Sequence, residues 1–315
     1  MRVGVTGGTG FIGCHLAKRL VEAGHEVILT GRRSRTLPSP LSEESAVSVR
    51  RAAVTDQDAM VSAFARVQAL VHLAGINYQR DRQSYDRVHC QGTEAVVAVA
   101  DDVGMERLVL VSYLRARPNC GSPYLESKWH AEELVRAAET TAVILKPAAV
   151  FGRGDQLLTH LARWFHTAAV VPRTGIRDRP LRPVAVEDVV RTIHAGVTGT
   201  HHIGETVALL GPSSLTQTEL MHRVGRAIGR RVVVVPTPVV LQRISAWAME
   251  RTLEPPIVTR AGVRMLAEGM TEPAPAGGCC RPVPNLRPQT APTEAYIERA
   301  VESVDRYGTG DFRHV

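Results

Sequence analysis

The chain has 315 residues, 44% of them hydrophobic, and 38 Lys and Arg against 31 Asp and Glu give a formal net charge of +7 at pH 7. That length admits one large α/β domain, or a large domain with a smaller appendage. Nearly all the basic residues are arginines spread along the chain and aromatics are only 4%, so no nucleic-acid partner is expected and a phosphorylated small molecule suits the charge better.

The predicted elements alternate through the first half. RVGVT at 2–6, EVILT at 26–30, VSVRRAAV at 47–54, ALVHLAG at 69–75, RLVLVS at 107–112 and AVILKPAAV at 142–150 are short, apolar and bounded by turn residues, as buried strands are. Between them FIGCHLAKRLVEAG, DAMVSAFARV, TEAVVAVADDVG and SKWHAEELVRAAE carry apolar residues at helical spacing. Continuous apolar strands separated by helices imply a parallel sheet covered on both faces. The expected fold is a Rossmann-type, doubly wound α/β domain over 1–150, followed by a smaller, partly helical C-terminal substrate-binding portion over 151–270. In that portion VEDVVRTIHAGV, LTQTELMHRVGRAIG, VVLQRISAWAMERT and TRAGVRMLAEGM read as helices, with short strands near ETVALL and RRVVVVP. Residues 271–315 read as an arm, rich in Pro and Gly over 271–292, and a terminal helix in TEAYIERAVESV.

The first strand runs into GGTGFIG. Glycine at Gly7, Gly10 and Gly13 permits a tight turn, close approach of backbone to a pyrophosphate, and packing of the next helix on the sheet. Following a strand and opening a helix, the turn points to dinucleotide binding through Gly7, Thr9, Gly10, Phe11, Ile12 and Gly13. NAD sites usually place an acid at the end of the second strand to accept from the ribose 2′-OH. Here Leu29, Thr30, Gly31, Arg32 and Arg33 contain none. Guanidinium at Arg32 and Arg33 suits a 2′-phosphate, which favours NADP(H) over NAD(H).

Further along, GSPYLESKWHAEE places Lys128, one of three lysines in the chain, four residues after Tyr124. On a helix the two side chains share a face one turn apart and point into one site.

With these motifs in place the sequence resembles the short-chain dehydrogenase/reductase superfamily, in the extended or atypical branch that includes sugar-nucleotide epimerase/dehydratases. The resemblance rests on TGGTGFIG at 6–13, HLAG at 72–75, GTEAVVAVA at 92–100, VLVS at 109–112, YLESK at 124–128, ILKPAAVFGRGD at 144–155 and PVAVEDVV at 183–190. The stretch from LLGPSSLTQTELMHRVGRAIGRR to Met270 is similar to the group related to the nucleotide-binding accessory subunit of respiratory complex I. The resemblance implies that Leu73, Ala74 and Gly75 of HLAG lie beside the nicotinamide half of the cofactor, and that Ser112 works with Tyr124 and Lys128 as the catalytic set. Two positions depart from the family pattern: Ala53 stands where Asp is common, and His89 stands where an Asn is often found, with His89 available as a substitute donor. In sugar-nucleotide relatives the region of Arg173, Arg177, Arg179 and Arg182 helps bind the substrate diphosphate; solvated loop charges are the plainer reading.

The chemistry expected of this set is hydride transfer with Tyr124 as acid/base. Bringing a phenol from about 10 toward about 7 requires about 4 kcal/mol of preferential phenolate stabilisation, which Lys128 can provide beside the oxidised nicotinamide. Lys128 also reaches the nicotinamide ribose, and Ser112 donates to the substrate oxygen. The leading reading is an NADP(H)-dependent oxidoreductase interconverting a carbonyl and an alcohol on a small organic substrate. The alternatives are a sugar-nucleotide epimerase/dehydratase and a non-catalytic NAD(P)H-binding sensor or accessory subunit.

No metal site is expected, because His201 and His202 are adjacent without ligands at zinc spacing. The cysteines, Cys14, Cys90, Cys120, Cys279 and Cys280, form neither a C-x-x-C pair nor a disulfide framework, which fits a reducing cytoplasm. MRVGVTGG leaves no room for a signal peptide, and Val232–Leu241, interrupted by Pro236 and Pro238, is too short for a transmembrane segment. A homodimer is compatible with all of this.

Overall fold

The apolar runs of the first half become strands of one parallel sheet, and the intervening patterns become the helices that cover it. A computed structural model describes residues 1–32, 37, 41–80, 83–199, 206–274, 287–305 and 313–314. β1 (Arg2–Thr6) leads into α1 (Phe11–Glu22), whose Gly13, Leu16, Ala17 and Leu20 are buried at helical spacing. After α1 the chain turns at Gly24, in the left-handed region at φ 79°, into β2 (Glu26–Gly31). β3 (Val47–Arg51) stops three residues short of the predicted strand. α2 (Gln57–Phe64) starts there, its N-terminus capped by the Asp56 carboxylate accepting from Ala59 N–H at 3.1 Å. β4 (Ala69–His72), α3 (Gly92–Val103), β5 (Arg107–Val111), α4 (Pro123–Arg136) and β6 (Ala142–Pro147) complete the alternation.

The chain forms two compact units, and it crosses between them more than once. The first comprises Met1–Pro147, Val186–Leu209 and Pro273–Arg287; the second comprises Ala148–Ala185, Leu210–Glu272 and Pro288–Val315. β7 (Val150–Phe151), α5 (Gln156–Thr167), β8 (Val170–Thr174), β9 (Pro180–Leu181) and β10 (Val184–Ala185) belong to the second. The chain then returns to the first with α6 (Val186–Thr198) and β11 (Thr206–Leu209). The expected segments, 1–150, 151–270 and 271–315, are each contiguous, whereas the two units interleave along the chain. The reason is apolar burial: α6 buries Val189, Ile193 and Val197, packs on α1, β4 and β5, and β11 pairs with β6.

The sheet of the first unit runs in the order β11-β6-β5-β4-β1-β2-β3, with every adjacent pair parallel. Chain direction across the sheet reverses between β1 and β4, where Thr6 stands opposite His72. In open α/β sheets ligands bind beyond the carboxyl ends at such a reversal, and the glycine turn after β1 and HLAG after β4 flank this one. The fold is therefore the predicted Rossmann-type α/β arrangement. Val3, Val5, Leu29, Leu70, Val71, Leu108 and Val109 are fully buried in it.

In the second unit β12 (Leu215–Thr216) pairs with β9, and β13 (Val233–Thr237) pairs with β8. α7 (Gln217–Ala227), α8 (Val239–Thr252) and α9 (Arg260–Glu268) match predicted helices, with β14 (Leu253–Glu254) between the last two. α10 (Glu294–Val301) is the predicted terminal helix, and β15 (Arg313–His314) pairs with β14. α5 is not among the predicted elements. Its start is set by Asp155, which accepts from Leu158 N–H at 2.6 Å and Gly152 N–H at 2.7 Å, and it buries Leu158, Ala162 and Phe165. Burial pushes the Asp155 carboxyl up to about 6, against the pull of those backbone N–H groups. Among the described residues no helix is long and apolar enough to cross a membrane. His201, His202, Cys279, Cys280 and most of the 271–292 arm lie outside the described residues.

Candidate active site

The glycine turn is built by contacts that leave no space for side chains. Gly7 has φ 65°, and a Cβ there would stand 2.9 Å from the backbone of Ala74, so the turn lies directly on HLAG. A Cβ on Gly13 would stand 2.3 Å from the Gly8 carbonyl oxygen, which shows how closely α1 sits on the turn. Gly10 caps α1 without any side-chain hydrogen bond, so the first-turn N–H groups beside Thr9, Phe11 and Ile12 have no side-chain oxygen competing for them. A cradle closed to side chains and lined by such donors fits a dinucleotide pyrophosphate. Gly13→Ala is expected to destabilise the fold by about 1–3 kcal/mol, because the added methyl meets backbone rather than a movable side chain. Urea denaturation of the variant checks this.

At the end of β2, Arg32 is exposed and no acid occupies 29–32. Arg33 lies outside the described residues. Register sets Gly31 opposite Arg51, an exposed residue at the carboxyl end of β3. Sequence reading missed Arg51 because it extended β3 to residue 54; the Arg50–Arg51 pair was the available signal. Ala53 follows β3 outside any regular element.

α4 holds the Tyr–Lys pair, and it begins earlier than its apolar pattern suggests. Ser122 is the cap, Pro123 is at the first position, and Glu126 accepts from Cys120 and Gly121 N–H at 2.8 Å each. Tyr124 and Lys128 are both buried, at 7% and 8% exposure. Lys128 Nζ reaches the end of HLAG: a Cβ built on Gly75 would stand 3.2 Å from Nζ and 3.4 Å from His89 Nε2. A side chain at 75 would press on the ammonium and on the His89 ring, so the glycine leaves them room beside the turn after β4. Leu73, Ala74 and Gly75 thus form the floor between the glycine turn and Lys128.

Burial lowers Lys128 from 10.5 to about 8, with the Glu132 carboxylate pulling it back up. The folded chain therefore binds fewer protons than the unfolded chain between about 8 and 10.5, and stability rises with pH across that window. Below about pH 8 the full penalty, roughly 3 kcal/mol, is present. Lys128→Met is expected to stabilise the fold at pH 7 by up to that amount, and the gain should shrink by pH 10; paired denaturation curves test both.

Tyr124 differs from expectation. Burial, then Tyr85, push its phenol up rather than down, and Lys128 is not among the causes. The ring stands edge-on to Tyr85 at 5.6 Å and to His89 at 5.8 Å, with Tyr113 at 6.1 Å.

His89 is not a substitute donor to substrate. It lies in a π-helical turn over Asp86–Gln91, a geometry common at functional sites. Its Nε2 accepts from Ile76 N–H at 3.0 Å, so the proton is on Nδ1, which donates to Ser127 Oγ at 2.8 Å. Ser127 Oγ–H in turn donates to the Tyr124 carbonyl at 2.9 Å. Burial first, then Lys128 and His72, hold His89 well below 6.5, so it is neutral. A second neutral histidine continues the chain of bonds: Thr93 Oγ–H donates to the His89 carbonyl and accepts from His72 Nε2–H at 3.1 Å. His72 Nδ1 then accepts from Thr6 Oγ–H at 2.6 Å. The ends of β1 and β4 are thereby tied to the first turn of α4 through both histidines.

Ser112 is brought to the same unit but not aimed at Tyr124. Its hydroxyl donates to Glu132 Oε1 at 2.6 Å, and Lys146 Nζ donates to Glu132 Oε2 at 2.8 Å. All three are buried. The expected donation from Ser112 to substrate is therefore replaced by a structural bond. Of the arginines before PVAVEDVV, two are committed within the second unit: Arg182 donates to the Gly211 carbonyl, and Arg173 donates to the Ile176 carbonyl and pairs with Asp178 at 3.7 Å. Arg177 and Arg179 are exposed. Glu187 and Asp188 lie in the first turn of α6, where Asp188 pairs with Arg191.

A family model described as the NAD dependent epimerase/dehydratase family matches residues 3–203. The chain belongs to this family. It is similar to the mitochondrial NADH dehydrogenase [ubiquinone] 1 alpha subcomplex subunit 9 of Mus musculus, 26% identical over 243 residues, which are 74% of this chain and 63% of the mouse protein. It is also similar to a ceramide reductase of Caulobacter vibrioides, 28% identical over 257 residues and 78% of each chain. Among solved structures, MoeE5 in complex with UDP-glucose and NAD aligns over 96% of this chain and 99% of its own, at 19% identity and a TM-score of 0.74. The UDP-glucuronic acid 4-epimerase of Bacillus cereus, in complex with UDP-glucuronic acid and NAD, aligns over 76% of this chain and 86% of its own, at 18% identity and a TM-score of 0.66. These structures establish likeness of fold. The complex I relation is the branch expected from the sequence after residue 209.

Proposed function

We propose that the chain binds a nicotinamide dinucleotide at the Gly7–Gly13 turn and is a sugar-nucleotide epimerase or dehydratase, in which hydride is taken from a carbinol carbon and later returned. The carrying observation is the approach of Lys128 Nζ and His89 to Gly75, with the Tyr124 ring edge-on to His89. This ranks first the reading that sequence alone places second. The family match and the NAD-bound neighbours that hold UDP-sugars favour it over net reduction of a small carbonyl compound.

The dinucleotide, when bound, supplies the hydride acceptor and the positive charge of its ring. Tyr124 Oη receives the proton of the substrate hydroxyl and gives it back. Lys128 Nζ, held beside Gly75, would hold the nicotinamide ribose. Gly7 and Gly13 keep the turn open to the pyrophosphate, and the His89–Ser127 bonds hold the Tyr124 backbone.

A second reading, net oxidation or reduction with NADP(H), has its own support in Arg32 and in Arg51 opposite Gly31. The absence of an acid at 29–32 removes the usual partner of the ribose 2′-OH. Release and identification of dinucleotide from natively purified protein separates the two. Bound NAD⁺ with interconversion of UDP-sugars and no net redox supports the first. Bound or preferred NADP(H) with stoichiometric reduction supports the second, and binding with no turnover on either panel leaves an accessory or sensor role.

A further inference from the structure

α8 is turned inside out. Its buried stripe is Gln242, Ala246 and Glu250, while Val240, Leu241, Ile244 and Trp247 are exposed, at 69%, 54%, 57% and 45%. The buried polar groups are satisfied: Gln242 Oε1 accepts from Thr174 Oγ–H, and Glu250 accepts from Arg260 N–H and Nε at 2.7 Å each. The helix is thus anchored by its polar side, and its apolar side is left outward. Val240, Ile244 and Trp247 lie at i, i+4 and i+7 with Leu241 beside them, so they form one stripe. Arg243 and Arg260 line a groove with three of these residues, and the Arg251 guanidinium stacks over the Trp247 ring at 4.0 Å. The one acid of α8, Glu250, is buried against Arg260, so the exposed charges of the helix are all positive.

We propose that this face of α8 docks on an anionic lipid bilayer surface, with Val240, Leu241, Ile244 and Trp247 entering the interface and Arg243 and Arg251 meeting acidic headgroups. The composition is that of a helix lying in the plane of an interface: aliphatic residues and a tryptophan on one side and arginines beside them. Arginine stems cover apolar surface while the charged ends reach outward, and stacking on Trp247 keeps Arg251 at the edge of the stripe. A second copy of this chain is the weaker occupant. Two α8 faces in contact would set arginines of each against like charge, with no exposed acid on the helix to offset them.

The test is co-sedimentation of the full chain with phosphatidylcholine vesicles, alone or mixed with phosphatidylglycerol. Binding to the mixed vesicles is expected to exceed binding to the neutral ones roughly tenfold or more and to fall in high salt. Ile244→Ser with Trp247→Ser, both at exposed positions, should abolish binding while unfolding at the same denaturant midpoint or higher. Arg243→Glu with Arg251→Glu should remove the preference for anionic vesicles. Binding to neither vesicle, equal binding to both, or unchanged binding of the serine variant overturns the proposal. So does a soluble dimer, seen by light scattering, that the serine variant dissolves, since it assigns the face to a second copy.

Discussion

Tyr124→Phe is expected to lower turnover by about 10²–10⁴-fold, the span ordinarily attributable to one positioned proton donor and acceptor. The substitution is close to a single-atom experiment. Phenylalanine keeps the edge-on packing against Tyr85 and His89 and loses only Oη. The backbone carbonyl that Ser127 bonds is unchanged, so α4 should keep its place and Lys128 its contact with Gly75. Dinucleotide affinity should accordingly equal that of the parent protein, measured by calorimetric titration, while steady-state turnover on the UDP-sugar panel falls. Because burial raises the phenol, the rate of the parent protein should climb as pH rises above neutrality, and bound oxidised cofactor should shift that climb to lower pH by adding a positive charge. Parent-level turnover in the phenylalanine variant would sink the assignment of Tyr124.

Sequence reading carried furthest where local chemistry determines local structure. Strands β1, β4 and β5 are continuous apolar runs, and buried strands have few other ways to look. The Tyr124–Lys128 spacing and the glycine turn are likewise local, so they could be read without tertiary information. α5 escaped notice because its apolar positions are interleaved with Thr159, His160, Arg163 and His166; its cap at Asp155 and the spacing of Leu158, Ala162 and Phe165 were the usable signals. The start of α4 was legible in Ser122–Pro123 but was placed at Ser127, where the apolar periodicity becomes regular. What the chain order could not reveal is where a hydroxyl proton points. Ser112 follows the right strand for a catalytic serine, yet its partner is set by Glu132 and Lys146, which meet it only in the folded sheet. The neutral state of His89 is of the same kind, fixed by the Ile76 N–H and by burial.

Glu132→Gln is expected to destabilise the fold by about 3–5 kcal/mol, the usual result of removing one member of a buried ion pair. Glu132 and Lys146 have fully buried side chains at 2.8 Å. The carboxylate also accepts from Ser112 Oγ and from Arg136 at 3.0 Å, so it is the common acceptor for one hydroxyl and two cations. Removing its charge takes away the carboxylate that Lys146 meets at 2.8 Å; the Ala116 carbonyl at 3.2 Å and the face of Trp129 at 5.6 Å, also beside the ammonium, carry no full negative charge. Lys146→Met alone should be costly as well, because it takes the nearest buried cation from the carboxylate and leaves it to the partly exposed Arg136 and to Lys128. The double variant removes both charges of the pair and should cost clearly less than the sum of the two singles, since neither member is left buried without the other. Denaturant titrations of the four proteins give the coupling directly. Additive losses would mean that Glu132 and Lys146 contribute independently, and the network would then not be what fixes Ser112 and the inner side of α4.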